Sequence, residues 1–369
     1  MHIGIDARLV YYTRAGIGQY TLRLTQALAS TFKEDRFTLL QDRRNSQPLV
    51  SAPNIAVARS LIPSHHRLEQ VLLPWEVNRL RVDVFHSPDF IPPLRAKGPF
   101  VITIHDLAFL IYPHFLTRES ARYYGQIDRA VRRADRIIAV SQSTKNDLVR
   151  MLGTREEKVT VIYEAADPMF KPLDRTAALR HVQALFDLPD EFILFVSTIE
   201  PRKNVVGLLR AYHRLRNVYK LTPGLVLAGA PGWLYEEVHA EVERLRLQSH
   251  CFFLGRVSAH DLLQLYNAAR CLVHPAFYEG FGLPPLEAMA CGTPVIVSNV
   301  SSLPEVVGDA ALLVNPQNDE EITVALWRLL SSPELWQELQ AKGLRRAAAF
   351  SWRVAAEMTM EVYRQAAAS

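Results

Sequence analysis

Short runs of consecutive apolar residues recur along the chain, and longer segments with the spacing of amphipathic helices separate them. Runs such as Ile137–Val140 and Phe192–Ser197 are apolar at successive positions, so both faces of each strand would be buried, as in a parallel sheet. Apolar residues recur with the spacing of an amphipathic helix in three of the longer segments, Leu22–Ala29, Val205–Leu215 and Leu262–Ala269. Parallel strands that alternate with helices are typical of doubly wound α/β domains.

This alternation occurs twice, so the sequence predicts an α/β protein with two Rossmann-like, doubly wound parallel-sheet domains. A boundary is predicted in Asp167–Thr176, where two prolines interrupt the pattern. The domains then cover residues 1–170 and 176–350, and residues 351–369 hold a helix over Ser351–Ala366. The strands are predicted at Ile3–Ile5, Phe37–Leu40, Ile55–Ala58, Val84–His86, Val101–Ile104, Ile137–Val140, Phe192–Ser197, Leu225–Leu227, Phe252–Leu254, Leu272–His274, Val295–Val297 and Leu312–Val314.

Charge is distributed unevenly between the two halves. Residues 1–175 contain 25 Lys and Arg against 18 Asp and Glu, whereas residues 176–369 contain 17 against 20. The basic half suits contact with an anionic lipid surface or a phosphate-bearing substrate, and ordinary solvated arginines are the alternative. Its basic residues are not interleaved with aromatic ones, so no nucleic-acid partner is expected.

The sequence also bears on location. Met1–Val10 contains an aspartate and an arginine, which the apolar segment of a signal peptide would not tolerate. No stretch of 18 uninterrupted apolar residues occurs. We therefore expect a cytoplasmic protein that lies at the inner face of the membrane if its basic half binds lipid. Three single cysteines fit buried thiols in a reducing compartment: Cys251, Cys271 and Cys291.

A glycine-rich loop between His274 and Pro284 is the strongest candidate for a binding site. The strand is predicted to end at His274 and a helix to begin at Pro284, since proline is tolerated in a first helical turn. Gly280 and Gly282 would expose backbone amides just before that helix, where an anion can bind.

Two glutamates in this segment, Glu279 in the loop and Glu287 in the first helical turn, are placed to accept paired sugar hydroxyls. Their spacing alone proves little, because 22 glutamates in 369 residues predict roughly one such pair by chance. Glu156 and Glu164 have the same spacing, and the sequence assigns them no role.

Two further loops follow predicted strands of the first half. Gly16 and Gly18, in the loop Arg14–Gln19 before a helix predicted near Tyr20, suit either a phosphate cradle or a plain turn. His105 follows another strand, where it suits a hydrogen bond to a sugar hydroxyl or a purely structural role.

In the second half, Arg202 and Lys203 follow a strand and precede a helix. Two adjacent cations at a helix N-terminus suit a diphosphate. The sequence therefore favours a phosphate site here over a pair of solvated surface cations.

Taken in order, these motifs resemble the retaining GT-B glycosyltransferases of the group 1 family over essentially the whole chain. They are the glycine loop, His105-Asp106, Glu-Pro-Arg-Lys-Asn at 200–204, Phe-Leu-Gly-Arg-Val at 253–257, and Glu279 to Glu287. The form Thr-Ile-Glu-Pro-Arg-Lys-Asn is similar to mannosyltransferases that use GDP-mannose.

The resemblance implies that the two domains face each other across a cleft. The N-terminal domain would bind a glycan or lipid-linked acceptor, and the C-terminal domain a nucleotide-sugar donor. The last helix would cross back onto the N-terminal domain. The chain would thus be a retaining hexosyltransferase of polysaccharide biosynthesis.

The resemblance also implies roles for single residues. It makes four of them catalytic: His105 beside the sugar, Arg202 and Lys203 at the diphosphate, and Glu279 at the transferred sugar. Further donor contacts would come from Gly16 and Gly18 over the phosphates, Arg256 and Val257 at the nucleobase, Gly280, Phe281, Gly282 and Leu283 at the sugar, and Glu287 at the ribose.

One departure from the family concerns positive charge. Many members carry a further arginine five or six residues before the lysine, where this chain has Val196-Ser-Thr198. No Asp-x-Asp motif occurs in the chain either. We therefore expect Arg202 and Lys203 to stabilise the leaving diphosphate without a metal or another cofactor.

The sequence is compatible with two other functions. A nucleotide-sugar epimerase of the same fold would convert the donor without any acceptor. A non-catalytic nucleotide-sugar-binding protein would bind the donor without turnover. The segment Arg59–Arg81, with Leu72-Leu-Pro-Trp75, is apolar and basic, which suits either a lipid-linked or polysaccharide acceptor or simple core packing.

Overall fold

The computed structural model divides the chain into two compact units, each with its own parallel sheet. One unit comprises Met1–Glu164 with Ser351–Ser369, and the other Ala165–Phe350. The structure describes residues 1–12, 16–66, 68–113 and 118–369, without the side chains of 118–120.

Seven parallel strands form the sheet of the first unit. They are β1 His2–Asp6, β2 Arg36–Asp42, β3 Ile55–Ser60, β4 Val84–Ser87, β5 Phe100–Ile104, β6 Arg136–Ala139 and β7 Val159–Val161, in the order β3-β2-β1-β4-β5-β6-β7. The helices between them are α1 Ile17–Thr31, α2 Glu69–Leu80, α3 Ala108–Ile111, α4 Arg118–Tyr124, α5 Ile127–Arg133 and α6 Gln142–Leu152.

Six parallel strands form the sheet of the second unit. They are β8 Phe192–Val196, β9 Gly224–Ala228, β10 Cys251–Gly255, β11 Cys271–His274, β12 Val295–Ser298 and β13 Ala311–Val314, in the order β10-β9-β8-β11-β12-β13. The helices are α7 Arg175–Phe186, α8 Val205–Val218, α9 Tyr235–Arg244, α10 Ala259–Ala268, α11 Leu283–Ala290, α12 Leu303–Val307, α13 Asp319–Ser331 and α14 Pro333–Ala348. A final helix, α15 Trp352–Ala367, belongs to the first unit.

All twelve predicted strands are present, and the structure adds β7, which the sequence pattern did not predict. The helix predicted near Tyr20 begins earlier, at Ile17, because the carbonyl of Gly16 already accepts the first helical hydrogen bond, from the amide of Tyr20 at 3.0 Å. The helix predicted from Pro284 begins one residue earlier, at Leu283, and Gly282 is its N-cap.

All three cysteines are buried free thiols, as predicted, and burial raises the pKa of each to about 12. Their role in the fold is therefore that of small apolar side chains.

Helix α15 packs against α1 and is anchored in the first unit by a buried polar chain. The hydroxyl of Tyr363 lies 2.7 Å from Nδ1 of His86, and Nε2 of His86 lies 2.8 Å from Oγ1 of Thr103. Thr103 is also hydrogen-bonded to the hydroxyl of Tyr20 at 3.0 Å. Burial lowers the pKa of His86 to about 3, so the ring is neutral and the chain carries no buried charge.

The strand order reverses between β1 and β4 in the first sheet and between β8 and β11 in the second. Ligands of open α/β sheets bind outside the carboxyl ends of the strands at such a switch point. The loops after these strands are therefore the first places to look for a functional site.

Candidate functional site

Arg202 and Lys203 lie in the loop that follows β8, at the switch point of the second sheet. Pro201–Lys203 forms one 3₁₀ turn, and Asn204, in the left-handed region at φ 56°, leads into α8. The carbonyl of Arg202 accepts a hydrogen bond from the amide of Phe277, in the loop after β11, at 2.8 Å. This bond ties the loops of two neighbouring strands together.

Glu279, from the loop after β11, is the centre of the charged cluster. Its Oε1 accepts hydrogen bonds from Nζ of Lys203 and, at 2.6 Å, from Nε2 of His274. Its Oε2 lies 3.6 Å from Nη1 of Arg202. Burial opposes ionisation of this carboxyl, but the charge of Lys203 and the hydrogen bond from His274 outweigh it and hold its pKa well below its usual range. Glu279 is therefore an ionised carboxylate that holds both predicted phosphate ligands.

His274, which donates a hydrogen bond to Glu279, is fully buried at the end of β11. Burial lowers the pKa of its imidazole, which therefore donates from Nε2 as a neutral ring. In the sequence His274 only marked the end of a strand. Its position five residues before Glu279 was a signal that it could reach that side chain.

Two serines in the loop after β12 fix the backbone around Glu279. The amide of Glu279 donates to Oγ of Ser301 at 2.9 Å, and the hydroxyls of Ser301 and Ser302 donate to its carbonyl. The hydroxyl of Ser302 also lies 2.9 Å from the carbonyl of Phe281, so its one proton is shared between the two carbonyls. Neither serine is marked by a signal in the sequence, because their contacts are to backbone atoms 21 to 23 residues away.

The start of α11 offers fewer amides than a typical helix N-terminus. Gly282, at φ +106°, turns the chain into the helix, and a Cβ there would lie 2.6 Å from Cδ2 of Leu303. The prolines that follow, Pro284 and Pro285, have no N–H group. Leu283 is thus the one residue among the first three of α11 that has a backbone donor, which narrows the predicted anion site to the amides at 280–283.

Glu287 lies in α11 and is half-buried. Its Oε2 accepts a hydrogen bond from the hydroxyl of Tyr266 in α10 at 2.8 Å. Burial, and then the charge of Glu287, raise the pKa of Tyr266 well above its usual value, so the phenol remains a donor. This bond orients one oxygen of the carboxylate.

Arg256 and Val257 follow β10, the outermost strand of the second sheet, and Arg256 is exposed. Since β9 lies between β10 and β8, a spacing of about 4.8 Å per strand places them roughly 10 Å along the sheet edge from the end of β8. The structure shows no hydrogen bond or ion pair of Arg256 with any residue it describes.

His105 is positioned in the first unit by two oxygen atoms. Its Nδ1 lies 3.0 Å from Oε1 of Glu164, and its Nε2 lies 3.1 Å from the carbonyl of Pro88. Both partners can accept a hydrogen bond, and each faces one nitrogen of the ring. Glu164, for which the sequence indicated no role, is therefore a buried partner of the predicted catalytic histidine.

The glycine loop lies at the switch point of the first sheet. Gly16 is exposed and precedes α1 at φ 48°, whereas Gly18 is buried inside the first turn of α1. Arg14, in the same loop, lies outside the described residues. The ring of Tyr20 packs edge-on against His105, with the ring centroids 4.8 Å apart.

The second unit thus contains two cations and an ionised carboxylate at a switch point, which suits an anionic ligand that also carries hydroxyl groups. Two family models match the chain. "Glycosyl transferases group 1" matches residues 179–346, and "Glycosyltransferase Family 4" matches residues 14–170.

Solved structures are similar in fold over the whole chain. Sucrose-phosphate synthase of Thermosynechococcus elongatus has a TM-score of 0.80 at 22% identity and covers 100% of both chains. HepE of Anabaena in complex with UDP and glucose has a TM-score of 0.75 at 19% identity and covers 99% of each. The predicted class, two Rossmann-like doubly wound domains of the GT-B type, is confirmed.

A curated relative matches nearly the full length. The O-antigen chain mannosyltransferase B of Escherichia coli is 31% identical over 96% of this chain and 97% of that protein. The predicted family is thereby confirmed: the chain belongs to the group 1 glycosyltransferases.

Proposed function

We propose that this protein is a retaining glycosyltransferase that transfers mannose from GDP-mannose to a glycan or lipid-linked acceptor in polysaccharide biosynthesis. The observation that carries the proposal is the cluster of Lys203, Arg202 and His274 around the carboxylate of Glu279. The choice of mannose is supported by the full-length match to an O-antigen chain mannosyltransferase and by the motif at residues 198–204.

Cleavage of the bond between sugar and phosphate leaves a diphosphate dianion and a sugar with oxocarbenium character. Lys203 and Arg202 stabilise the departing charge, and they do so more strongly in the transition state than in the bound donor. Glu279, held ionised, accepts hydrogen bonds from two hydroxyls of the transferred sugar. Glu287 holds the ribose hydroxyls, and its hydrogen bond from Tyr266 orients it for that purpose.

In the first unit, His105 acts at the transferred sugar. The ring is fixed on one side by Glu164 and on the other by the carbonyl of Pro88. Its side chain remains 16% exposed, so it can meet a substrate, whereas Glu164 is 4% exposed and acts through the ring. Glu164 is therefore a positioning residue.

The identity of the donor is tested by thermal stabilisation, since a ligand that binds only the folded state raises the melting midpoint. We expect GDP-mannose to raise it more than UDP- or ADP-sugars at the same concentration. With an acceptor, NMR of the anomeric proton should show the α configuration of the donor in the product. A larger shift with UDP-sugars, or a β linkage, would contradict the proposal.

Removing the charge of Lys203 should affect turnover more than donor binding. We expect Lys203→Ala to lower kcat by about 10² or more, because the charge acts mainly in the transition state. Glu287→Ala should instead raise KM for the donor, because ribose is held equally in the ground and transition states. Lys171→Ala, at an exposed lysine of the same unit, is the control and should be silent. Equal, small changes of both constants in both variants would refute these roles.

The structure adds a prediction for Glu164. Glu164→Gln keeps the size and one oxygen but removes the charge that faces Nδ1 of His105. We expect kcat to fall by about tenfold or more with KM for the donor unchanged, because misplacement of a catalytic group is costly. Glu156→Ala, at the exposed glutamate eight residues earlier, should leave both constants unchanged. A change of KM alone, measured by initial rates, would speak against positioning.

Metal independence is a further prediction of the proposal. Arg202 and Lys203 supply the positive charge that a divalent ion supplies to other transferases. Exhaustive EDTA treatment should therefore leave turnover within about twofold, less than about 0.5 kcal/mol in the barrier. Loss of activity that magnesium or manganese restores would show that the diphosphate site has been misassigned.

A further inference from the structure

Helix α2 in the first unit presents a stripe of large apolar side chains to solvent. Four side chains form the stripe: Leu68 is 49% exposed, Val71 60%, Leu72 42% and Trp75 56%. Their spacing of three and four residues places them on one face of the helix. Such a stripe normally faces the core of a soluble protein. Here it does not.

The opposite face of α2 shows that the helix is fully packed in this orientation. Leu73 and Val77 are buried among Phe85 and Phe100 of the first sheet. The carboxylate of Glu69 lies 2.5 Å from Nη2 of the buried Arg8. Rotating the stripe inward would expose these groups, so the exposure of the stripe is fixed by the fold.

Leu61, which follows β3, extends the same surface. It is 59% exposed, and its amide donates to the carboxylate of Glu76 in α2 at 2.9 Å. This bond holds Leu61 next to α2. The five side chains Leu61, Leu68, Val71, Leu72 and Trp75 are called the α2 surface below.

Exposed charges in the stretch of chain that contains the α2 surface are positive, up to the exposed Asp83 that follows Arg81. Among the residues described within 36–81, every exposed Lys, Arg, Asp or Glu is an arginine: Arg36, Arg43, Arg44, Arg59, Arg79 and Arg81. The three acidic side chains of this segment are paired within the protein, Asp42 with the exposed Arg44, Glu69 with the buried Arg8 and Glu76 with Ser60. The pair of Arg44 with Asp42 leaves five exposed arginines without a carboxylate partner in the described part of this segment.

Two of these arginines lie beside the α2 surface, one through its side chain and one through its backbone. The guanidinium of Arg79 lies 3.4 Å above the ring of Trp75, and the amide of Arg43 donates to the carbonyl of Ser60 at 3.1 Å, next to Leu61. An aromatic ring with an arginine beside it is typical of the boundary between apolar and aqueous phases, because both side chains have an apolar body and a polar end.

We propose that the α2 surface is a docking site for the headgroup region of an anionic lipid bilayer. The apolar side chains would enter the boundary between headgroups and acyl chains, and the arginines would bind lipid phosphates. A second copy of the chain fits less well, because a symmetric contact would place arginine against arginine. No helix that the structure describes is long and apolar enough to span a membrane, so the contact would be peripheral.

Co-sedimentation of the full chain with vesicles tests the proposal. The wild type should bind vesicles of phosphatidylcholine that contain phosphatidylglycerol and not vesicles of phosphatidylcholine alone, and high salt should weaken binding. The double variant Val71→Ser/Trp75→Ser should bind at least about tenfold more weakly, because two apolar side chains no longer enter the lipid. Arg59→Glu/Arg79→Glu should abolish the preference for phosphatidylglycerol.

The matched control is Val354→Ser/Met358→Ser on α15, where two exposed apolar side chains also lie four residues apart in the same unit. It should bind vesicles like the wild type. Melting midpoints, and their rise with GDP-mannose, should be unchanged in all variants, so failure of the lipid proposal and failure of the glycosyltransferase proposal are distinguishable. Equal loss in the control, equal binding to both vesicle types, or a dimer in light scattering that the α2 variant dissociates would overturn the proposal.

Discussion

The carboxylate of Glu279 is the group on which the second unit's site depends. A buried carboxylate is costly unless charged or hydrogen-bonding partners surround it, and here Lys203, Arg202 and His274 do so. Those partners come from two strands, and serines after a third strand fix the backbone of the glutamate. The cations are therefore held at the switch point by the residue that is proposed to bind the sugar. In the proposed function, recognition of the diphosphate and of the sugar is therefore coupled through the ion pairs of this carboxylate.

Most of the fold could be predicted because parallel strands are apolar on both faces and therefore leave an unbroken run in the sequence. Strand β7 is not predicted from the sequence. Its three residues, Val159–Val161, include a threonine and directly follow a 3₁₀ turn, so the strand does not stand out as a run of consecutive apolar residues. Because the sequence does not predict this strand, Glu164 does not follow a predicted strand, and no role is assigned to it.

The candidate site was predictable where function depends on side chains in loops directly after strands. Lys203 and Glu279 were found in this way, although 76 residues separate them and only the sheet order brings their side chains together. The contributions of Ser301 and Ser302 were not predictable, because these residues bind backbone atoms and carry no chemical signature. The helix start at Leu283 shows the opposite error. Its prolines mark a helix N-terminus and at the same time remove the amides that an anion would need.

The two units share one arrangement of side chains, a histidine hydrogen-bonded to a glutamate. In each, a histidine at or just after the carboxyl end of a strand is hydrogen-bonded to a buried glutamate, His105 to Glu164 and His274 to Glu279. Their exposure separates their roles, since His105 is partly open to solvent whereas His274 is completely buried. A ring without exposure can only orient its partner, so in the proposed function it is the glutamate of the second unit that meets the substrate. In the first unit the order is inverted: the glutamate is hidden and the histidine is presented.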